Sequence, residues 1–538
     1  MSFKNEDTFS IGREKLDESF DEALEKVRDS FCRHNPLRIG GEAIFSDEEI
    51  KTVSPIDRRI VTGYFQKGHL QHARLAVQSA KDAFSEAWGD FDWRQRVAIC
   101  HRAASILRRD KFEISAILSY ENGKSREESV GEADEAIDFL VYYSYLMEQN
   151  AGLAIEREPH FHGHVGMELG YQGARSSGER VTIEAKPFGV WAVIAPFNFP
   201  VSISVGMCAA AIITGNTVVF KPSFGDNPAP LTGLKIYEAF EEAGLPAGVL
   251  NFITGLGSEI GDELVTNPDV RGIAFTGSRK VAADIQKKIA PSVVPKQLIA
   301  EMGSKNPVIV TGTANLSIAA NGTVSAAFGF CGQKCSACSR AIVHESVYDN
   351  FLSLLTSKLQ SLRVGDPLKK GNFMGPLIGE AALERYLSAM DEAKKEGKVL
   401  YGGRRLSGTE LYDNGCYVEP ALLEVPTESR LFRTELFLPI LALVKYNDFE
   451  DALKLANNTE YGLTAGLYSG NSREIQTFNR EIEYGTTYVN RAVSATTGAI
   501  VGQQTFTGCK ASSMTCKGTG SLSYLFQFVR EHSQTVVE

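Results

Sequence analysis

GVWAVIAPFNFPVSISVGMCAAAIITGNTVVFKPS, residues 189–223, holds the pattern that decides the fold. A short apolar run from Gly189 to Pro196 gives way to a longer helical run. After the turn at Gly215-Asn216 a second short apolar run ends at Lys221 and Pro222. The alternation then continues: helical PLTGLKIYEAFEEAGLP at 230–246, apolar GVLNFITG at 248–255, helical EIGDELV at 259–265, apolar GIAFTGS at 272–278 and helical KVAADIQKKIA at 280–290. Repetition of this kind means βαβ units and a parallel sheet. The expected fold class is α/β, with ligands beyond the carboxyl ends of the strands.

Outward from this block, the chain changes texture on both sides. Toward the N-terminus it reads as helical: Leu16, Phe20, Leu24, Val27 and Phe31 recur at three- to four-residue steps, and similar runs start at Leu70 and at Trp93. Between the helices and the sheet, residues 156–189 are polar, Gly-rich and partly alternating, which suggests a protruding hairpin. Its His160, His162 and His164 lack Cys or carboxylate partners at a fitting offset, so an exposed polar strand is favoured over a metal site. Toward the C-terminus, a second α/β block runs from near Lys305 to about Tyr488.

Bulk properties exclude several classes. The 538 residues exceed one ordinary core, so two or three subdomains are expected. With 56 basic and 66 acidic residues the net charge is −10, which gives no basic surface for nucleic acid. The most apolar stretch, residues 201–220, is broken at Gly215-Asn216 and is too short to span a bilayer. The polar start, MSFKNEDTFS, is no signal peptide. Nine scattered cysteines fit reduced thiols. Together these point to a cytoplasmic protein with neither a nucleic-acid nor a membrane partner.

The chemistry-bearing residues cluster at predicted strand ends. FGFCGQKCSACSR, residues 328–340, sets Cys331, Cys335 and Cys338 in a C-x3-C-x2-C spacing. That spacing suits an iron–sulfur ligand set, or one nucleophilic thiol with two packing cysteines on a shared helix face. A thiol at a helix N-terminus would be activated by the dipole. Glu301, in LIAEMGSKNPVIV, is a general base if buried and an ordinary surface glutamate if not. Asn198, between two phenylalanines in APFNFP, could donate to an oxyanion or serve as a turn cap. Lys221 in FKPS could reach a ribose or end the strand in solvent. Gly257, in GLGSEIG, opens a helix as a dinucleotide finger would, but with one residue too many. Gly277 and Ser278, in FTGS, start a helix suited to a phosphate.

Together these motifs resemble the aldehyde dehydrogenase superfamily. Along the chain Asn198, Lys221, FTGS at 275–278, Glu301 in E-M-G-x-K-N-P, Cys335 in G-Q-K-C and Glu435 in E-x-F-x-P follow the family order, and the interval from Glu301 to Cys335 fits too. Within it the chain is most similar to the 1-pyrroline-5-carboxylate (glutamate-γ-semialdehyde) dehydrogenase group. EAIDFLVYYS, the 328–340 stretch, RVGDP, NNTEYGLT and TTGAIVGQ carry that likeness.

The resemblance implies that Cys335 is the nucleophile, Glu301 the base that activates water, and Asn198 an oxyanion donor. It implies that Lys221 and Glu435 hold the two riboses of NAD (NADP not excluded) and that Phe437 lies against the nicotinamide. Gly257, Gly277 and Ser278 complete the cofactor set, no metal is needed, and Ser336, Gly498 and Ala499 would take the substrate's α-carboxylate. The implied reaction is oxidation of an aldehyde through a cysteine thioester, with L-glutamate γ-semialdehyde as substrate in proline catabolism. Another aldehyde, or a decayed dehydrogenase fold acting as a binding protein, are the alternatives.

The implied fold has three parts. A Rossmann-like NAD(P)-binding domain spans 1–154 and 188–303, and an α/β catalytic domain spans 304–488. A β-hairpin oligomerisation arm with the C-terminal tail spans 155–187 and 489–538 and supports a homo-oligomer. Departures from the family pattern stand at Phe197, Phe224, Leu438, Thr505 and Thr507.

Overall fold

The computed structural model describes residues 3–153, 155–157, 179–225, 228–492 and 500–537. Two seven-stranded sheets form its frame. In the first, Val190–Ile194, Thr217–Lys221, Leu250–Phe252, Val270–Gly277 and Gln297–Met302 are parallel. All five residues of Thr217–Lys221 are buried, which is why this strand is a continuous apolar run rather than an alternating one. Val190–Ile194 is central. The chain leaves it toward Thr217–Lys221 on one side and later returns to Val270–Gly277 on the other. That reversal is the topological switch point where a ligand crevice opens.

The second sheet runs in the order Lys398–Tyr401, Ala421–Glu424, Ile440–Tyr446, Cys338–His344, Asn306–Val310, Thr464–Tyr468 and Thr486–Val489. Only Lys398–Tyr401 is antiparallel to its neighbour. Gln297–Met302 closes the first sheet and Asn306–Val310 enters the second, so the short link between them, with Gly303 to Lys305, joins the two halves.

The predicted N-terminal helices are present as Arg13–Arg28, Leu70–Glu86, Trp93–Arg109, Lys111–Asn122 and Arg126–Gln149. Of the five residues read as the apolar face of the first, Leu16, Phe20 and Val27 are buried, Leu24 is half-buried, and Phe31 lies past the end of the helix. Between the first two helices lie five short strands that the helical reading passed over. Leu37–Ile39 and Glu42–Ile44, joined at Gly40-Gly41, extend the first sheet in antiparallel fashion. His34–Asn35, Glu49–Val53 and Val61–Gln66 make a small separate sheet. Such runs of two to six residues are too short for periodicity to register.

A further three-stranded sheet pairs Glu179–Pro187 with Val529–Val537 along its whole length and with Ile155–Arg157 on its other edge. The three histidines at 160, 162 and 164 lie outside the described residues. The stretch read as arm and C-terminal tail, 489–538, contains both the arm strand Val529–Val537 and a segment that packs elsewhere. Residues 500–528 return to the body, where Tyr524, Leu525 and Phe528 join the main core. There the Met302 N–H donates to the Ser512 carbonyl at 2.9 Å and the Met514 N–H to Ala300 at 3.1 Å. Burial of three large apolar side chains explains the return. No helix among the described residues is long and apolar enough to cross a membrane.

Candidate active site

Asn198 follows the central strand and precedes helix Ser202–Ile213. It is 4% exposed. Its loop is gripped from outside. The Asn122 side chain donates to the Phe197 carbonyl at 3.4 Å. The Glu132 carboxylate accepts the N–H groups of Val201 and Ser202 at 2.8 and 3.2 Å, capping the helix with negative charge.

The cysteine loop differs from both readings made of it. Helix Leu316–Phe328 stops before the first cysteine, and Cys338 already belongs to strand Cys338–His344. The three cysteines therefore share no helix face, and Cys335 stands at no helix N-terminus. Phe330 and Cys331 take left-handed conformations, with φ of 48° and 55°. Strain of this kind persists only where the surroundings over-determine it. Here the Cys331 thiol donates to the Gly375 carbonyl at 3.0 Å and the Cys338 thiol to Arg340 at 3.5 Å, both in buried packing. An iron–sulfur site is set aside on this geometry. Among the described residues no group of three His, Cys, Asp or Glu side chains could hold a metal ion.

Cys335 is the partly exposed member of the three. Its carbonyl accepts the Asn306 side-chain amide at 2.7 Å, and the same amide also reaches the Ala337 carbonyl at 3.0 Å. Asn306 in turn accepts the Thr464 N–H at 2.9 Å. A side chain on the sheet thus fixes the loop directly behind the sulfur. Burial pushes the Cys335 thiol up to about 12, and the Glu435 and Glu301 carboxylates add to this. The backbone N–H groups of Ser336 and Cys335 act the other way.

Glu301, at the end of strand Gln297–Met302, is buried rather than on the surface. Its Oε1 accepts the Ser513 hydroxyl at 2.9 Å, while Oε2 is buried with no hydrogen-bond partner among the described residues. Burial raises this carboxyl to about 8, opposed by the Ser513 hydrogen bond. A buried carboxylate oxygen without a partner, its charge felt at the Cys335 thiol, is an expensive arrangement that suits a proton acceptor.

The residues read as cofactor contacts fit a dinucleotide. Lys221 is 6% exposed, so the alternative of a solvated strand end fails. Its Nζ makes one long bond, to the Pro222 carbonyl at 3.3 Å, which leaves ammonium donors for a ligand's hydroxyls. Burial lowers it to about 8. Glu435 accepts the Ser304 N–H at 2.8 Å, and burial raises it to about 7 against the pull of that bond and of Lys305. Phe437, with φ of 60°, sets its ring edge-on to Phe197 at 5.9 Å.

Gly257 opens helix Gly257–Thr266, and a side chain there would meet open space. Gly277 ends its strand. Ser278 caps helix Arg279–Ile289 by accepting the Val281 N–H, so its hydroxyl is already engaged. A Cβ at Gly303 would overlap the Glu435 carboxylate, which would have to move aside. Gly303→Ala is expected to displace Glu435 and to raise the KM for the dinucleotide about tenfold or more, with the aldehyde KM changed far less. Steady-state kinetics with each substrate varied checks this.

Ser336 is 2% exposed, and its carbonyl accepts the Thr464 hydroxyl at 3.2 Å. Gly498 and Ala499 lie outside the described residues. Of the departures, Phe224 packs on the main core and Leu438 is buried. The carbonyls of Thr505 and Thr507 accept the Thr486 hydroxyl at 3.4 and 3.1 Å, so these two threonines brace the loop through backbone. Sequence reading missed Asn306, Ser513, Asn122, Lys124 and Glu132. Asn306 and Ser513 lay within motifs read for other residues, whereas the other three carry no local signal.

A half-buried thiol, a buried carboxylate with one unpartnered oxygen and the switch point of a parallel sheet fit an aldehyde-oxidising class. Residues 44–531 match the aldehyde dehydrogenase family, and the chain belongs to it. Among curated relatives it is similar to the 1-pyrroline-5-carboxylate dehydrogenase of Bacillus cytotoxicus, 39% identical over 518 residues covering 95% of this chain and 94% of that one. The protein of the same name from Geobacillus sp. (strain WCH70) is 38% identical over 524 residues, 96% of each chain. Among solved structures, the 1-pyrroline-5-carboxylate dehydrogenase from Thermus with bound NAD superposes with a TM-score of 0.90. It is 34% identical and covers 100% of this chain and 99% of that one.

Proposed function

We propose that this enzyme oxidises L-glutamate γ-semialdehyde to L-glutamate with NAD, a step of proline catabolism. The observation that carries the reaction class is the unpaired Glu301 Oε2, buried where its charge reaches Cys335. The full-length likeness to 1-pyrroline-5-carboxylate dehydrogenases supports the substrate and the cofactor.

Cys335, as thiolate, adds to the aldehyde carbon and forms a C–S bond. The Asn198 side-chain amide and the Cys335 N–H hold the resulting oxyanion, and each such donor is worth about 3 kcal/mol. NAD, when bound, supplies a hydride acceptor, which turns the thiohemiacetal into a thioester. Glu301 removes a proton from water, the hydroxide attacks the thioester carbon, and the C–S bond breaks to release the acid and the thiol. In total, aldehyde, NAD⁺ and water give carboxylate, NADH and two protons.

Lys221 and Glu435 take the ribose hydroxyls in this reading. Ser336, Gly498 and Ala499 take the α-carboxylate. The same reading gives a cofactor domain of residues 1–154 and 188–303, a catalytic domain of 304–488, and an arm through which a cytoplasmic homo-oligomer assembles. Among the described residues the arm sheet has strands without a further neighbour at both edges, which supports that assembly, since an edge strand is a template for a second chain.

An aldehyde panel with NAD and NADP tests the proposal. Glutamate semialdehyde with NAD is expected to give the highest kcat/KM, by about tenfold over propanal or other aldehydes lacking a carboxylate. A carboxylate-free aldehyde turned over more efficiently would overturn the substrate assignment.

A further inference from the structure

One fully buried ion pair lies outside the reacting groups. Lys124 and Glu132 are 0% exposed at their side chains and in direct contact. A buried pair like this costs desolvation, and well-packed apolar residues of similar volume often give equal or greater stability. Stability alone is therefore a weak reason for it, and its neighbours supply a better one.

Glu132 uses its other oxygen to accept the Val201 and Ser202 N–H groups, just after Asn198. The Lys124 ammonium sits over the Phe199 ring, 3.4 Å from its centroid, so it bears on the residue next to Asn198. The same ammonium faces the Phe330 ring at 4.9 Å, in the left-handed turn that leads to Cys335. Asn122, two residues earlier, accepts the Lys124 N–H at 3.1 Å and donates to the Phe197 carbonyl, before Asn198. One buried cation thus touches both the loop of the oxyanion donor and the loop of the nucleophile. Its counter-ion caps the helix that starts behind the donor.

We infer that Lys124 and Glu132 are positioning residues, which hold the Asn198 loop and the Cys335 loop in register across the site. The inference rests on the roles proposed above for Cys335 and Asn198. The cation is held electrostatically by two ring faces, and this interaction strengthens when water is excluded. A small slip between the loops would move the Asn198 amide relative to the sulfur and leave the cofactor crevice unchanged.

The test uses the full-length enzyme and two variants. Lys124→Met/Glu132→Gln removes both charges together and keeps an amide oxygen to cap Val201 and Ser202. Phe199→Leu keeps both charges and most of the volume but removes one ring. In each, kcat is expected to fall about ten- to a hundredfold. NADH affinity, read by fluorescence titration, should stay within about twofold. A purely structural role would lower the amount of folded protein and leave kcat per NADH-binding site intact. If kcat per NADH-binding site in Phe199→Leu stays within about twofold of the parent, the inference is overturned, whether or not the double variant folds. Failure of the nucleophile reading itself would appear separately, as retained turnover in Cys335→Ala.

Discussion

Replacing Cys335 by alanine is expected to abolish aldehyde-dependent NADH formation, a loss of about 10⁴- to 10⁶-fold in kcat. The size follows from the chemistry. Without sulfur there is no covalent intermediate from which hydride can leave, and neither Asn198 nor the loop N–H groups have an oxyanion to stabilise. NADH binding should survive, because Lys221, Glu435 and the helix starts at 257 and 279 contribute nothing through the thiol. Cys331→Ala and Cys338→Ala are the matched controls. Both thiols are buried and donate to backbone carbonyls, so their loss should reduce stability while kcat stays within a few-fold. Absorbance at the NADH band, with active sites counted by NADH titration, measures all three. Turnover undiminished in Cys335→Ala would remove the thioester route.

The contrast among these cysteines shows what a sequence can carry. Their spacing was legible, but it suggested a helix face that does not exist. The helix ends at Phe328 and the chain then turns through left-handed Phe330 and Cys331; Gly329 and Gly332, which flank that turn, are its local signal. The sheet was easier to read. Strands such as Thr217–Lys221, buried on both faces, leave continuous apolar runs between amphipathic helices, a signal local to each segment.

Contacts between distant segments leave no such trace. The Ser513 hydroxyl that holds Glu301 comes from 212 residues away, in a stretch that reads as tail. Lys124 is buried in contact with Glu132, which lies on the following helix, a pairing that no local pattern marks. Glu301 itself was ambiguous between surface and site. Its burial, not its neighbours in sequence, is what supports the proposed role as base.

That environment yields the second large effect. Glu301→Gln keeps the size of the side chain and an oxygen for the Ser513 hydroxyl, but it cannot take a proton. In the proposed mechanism acylation and hydride release use Cys335 and Asn198, so one equivalent of NADH per site should still form quickly. Release of the acid then stalls, and steady-state kcat should fall by about 10²- to 10⁴-fold, the usual value of a positioned base. Rapid-mixing absorbance resolves the burst from the slow phase.

The pH dependence has a definite sign. Burial raises the Glu301 carboxyl to about 8, and only its ionised form accepts a proton, so steady-state turnover should climb as pH passes upward through about 8. The Cys335 thiol, pushed up to about 12, also favours alkaline conditions, but it governs the burst rather than the steady state. The variant separates the two: Glu301→Gln should lose the steady-state inflection near 8 and keep the rise of the burst rate with pH. A steady-state inflection that persists in Glu301→Gln would assign it to the thiol or to Glu435, and the water-activating role would pass to another group.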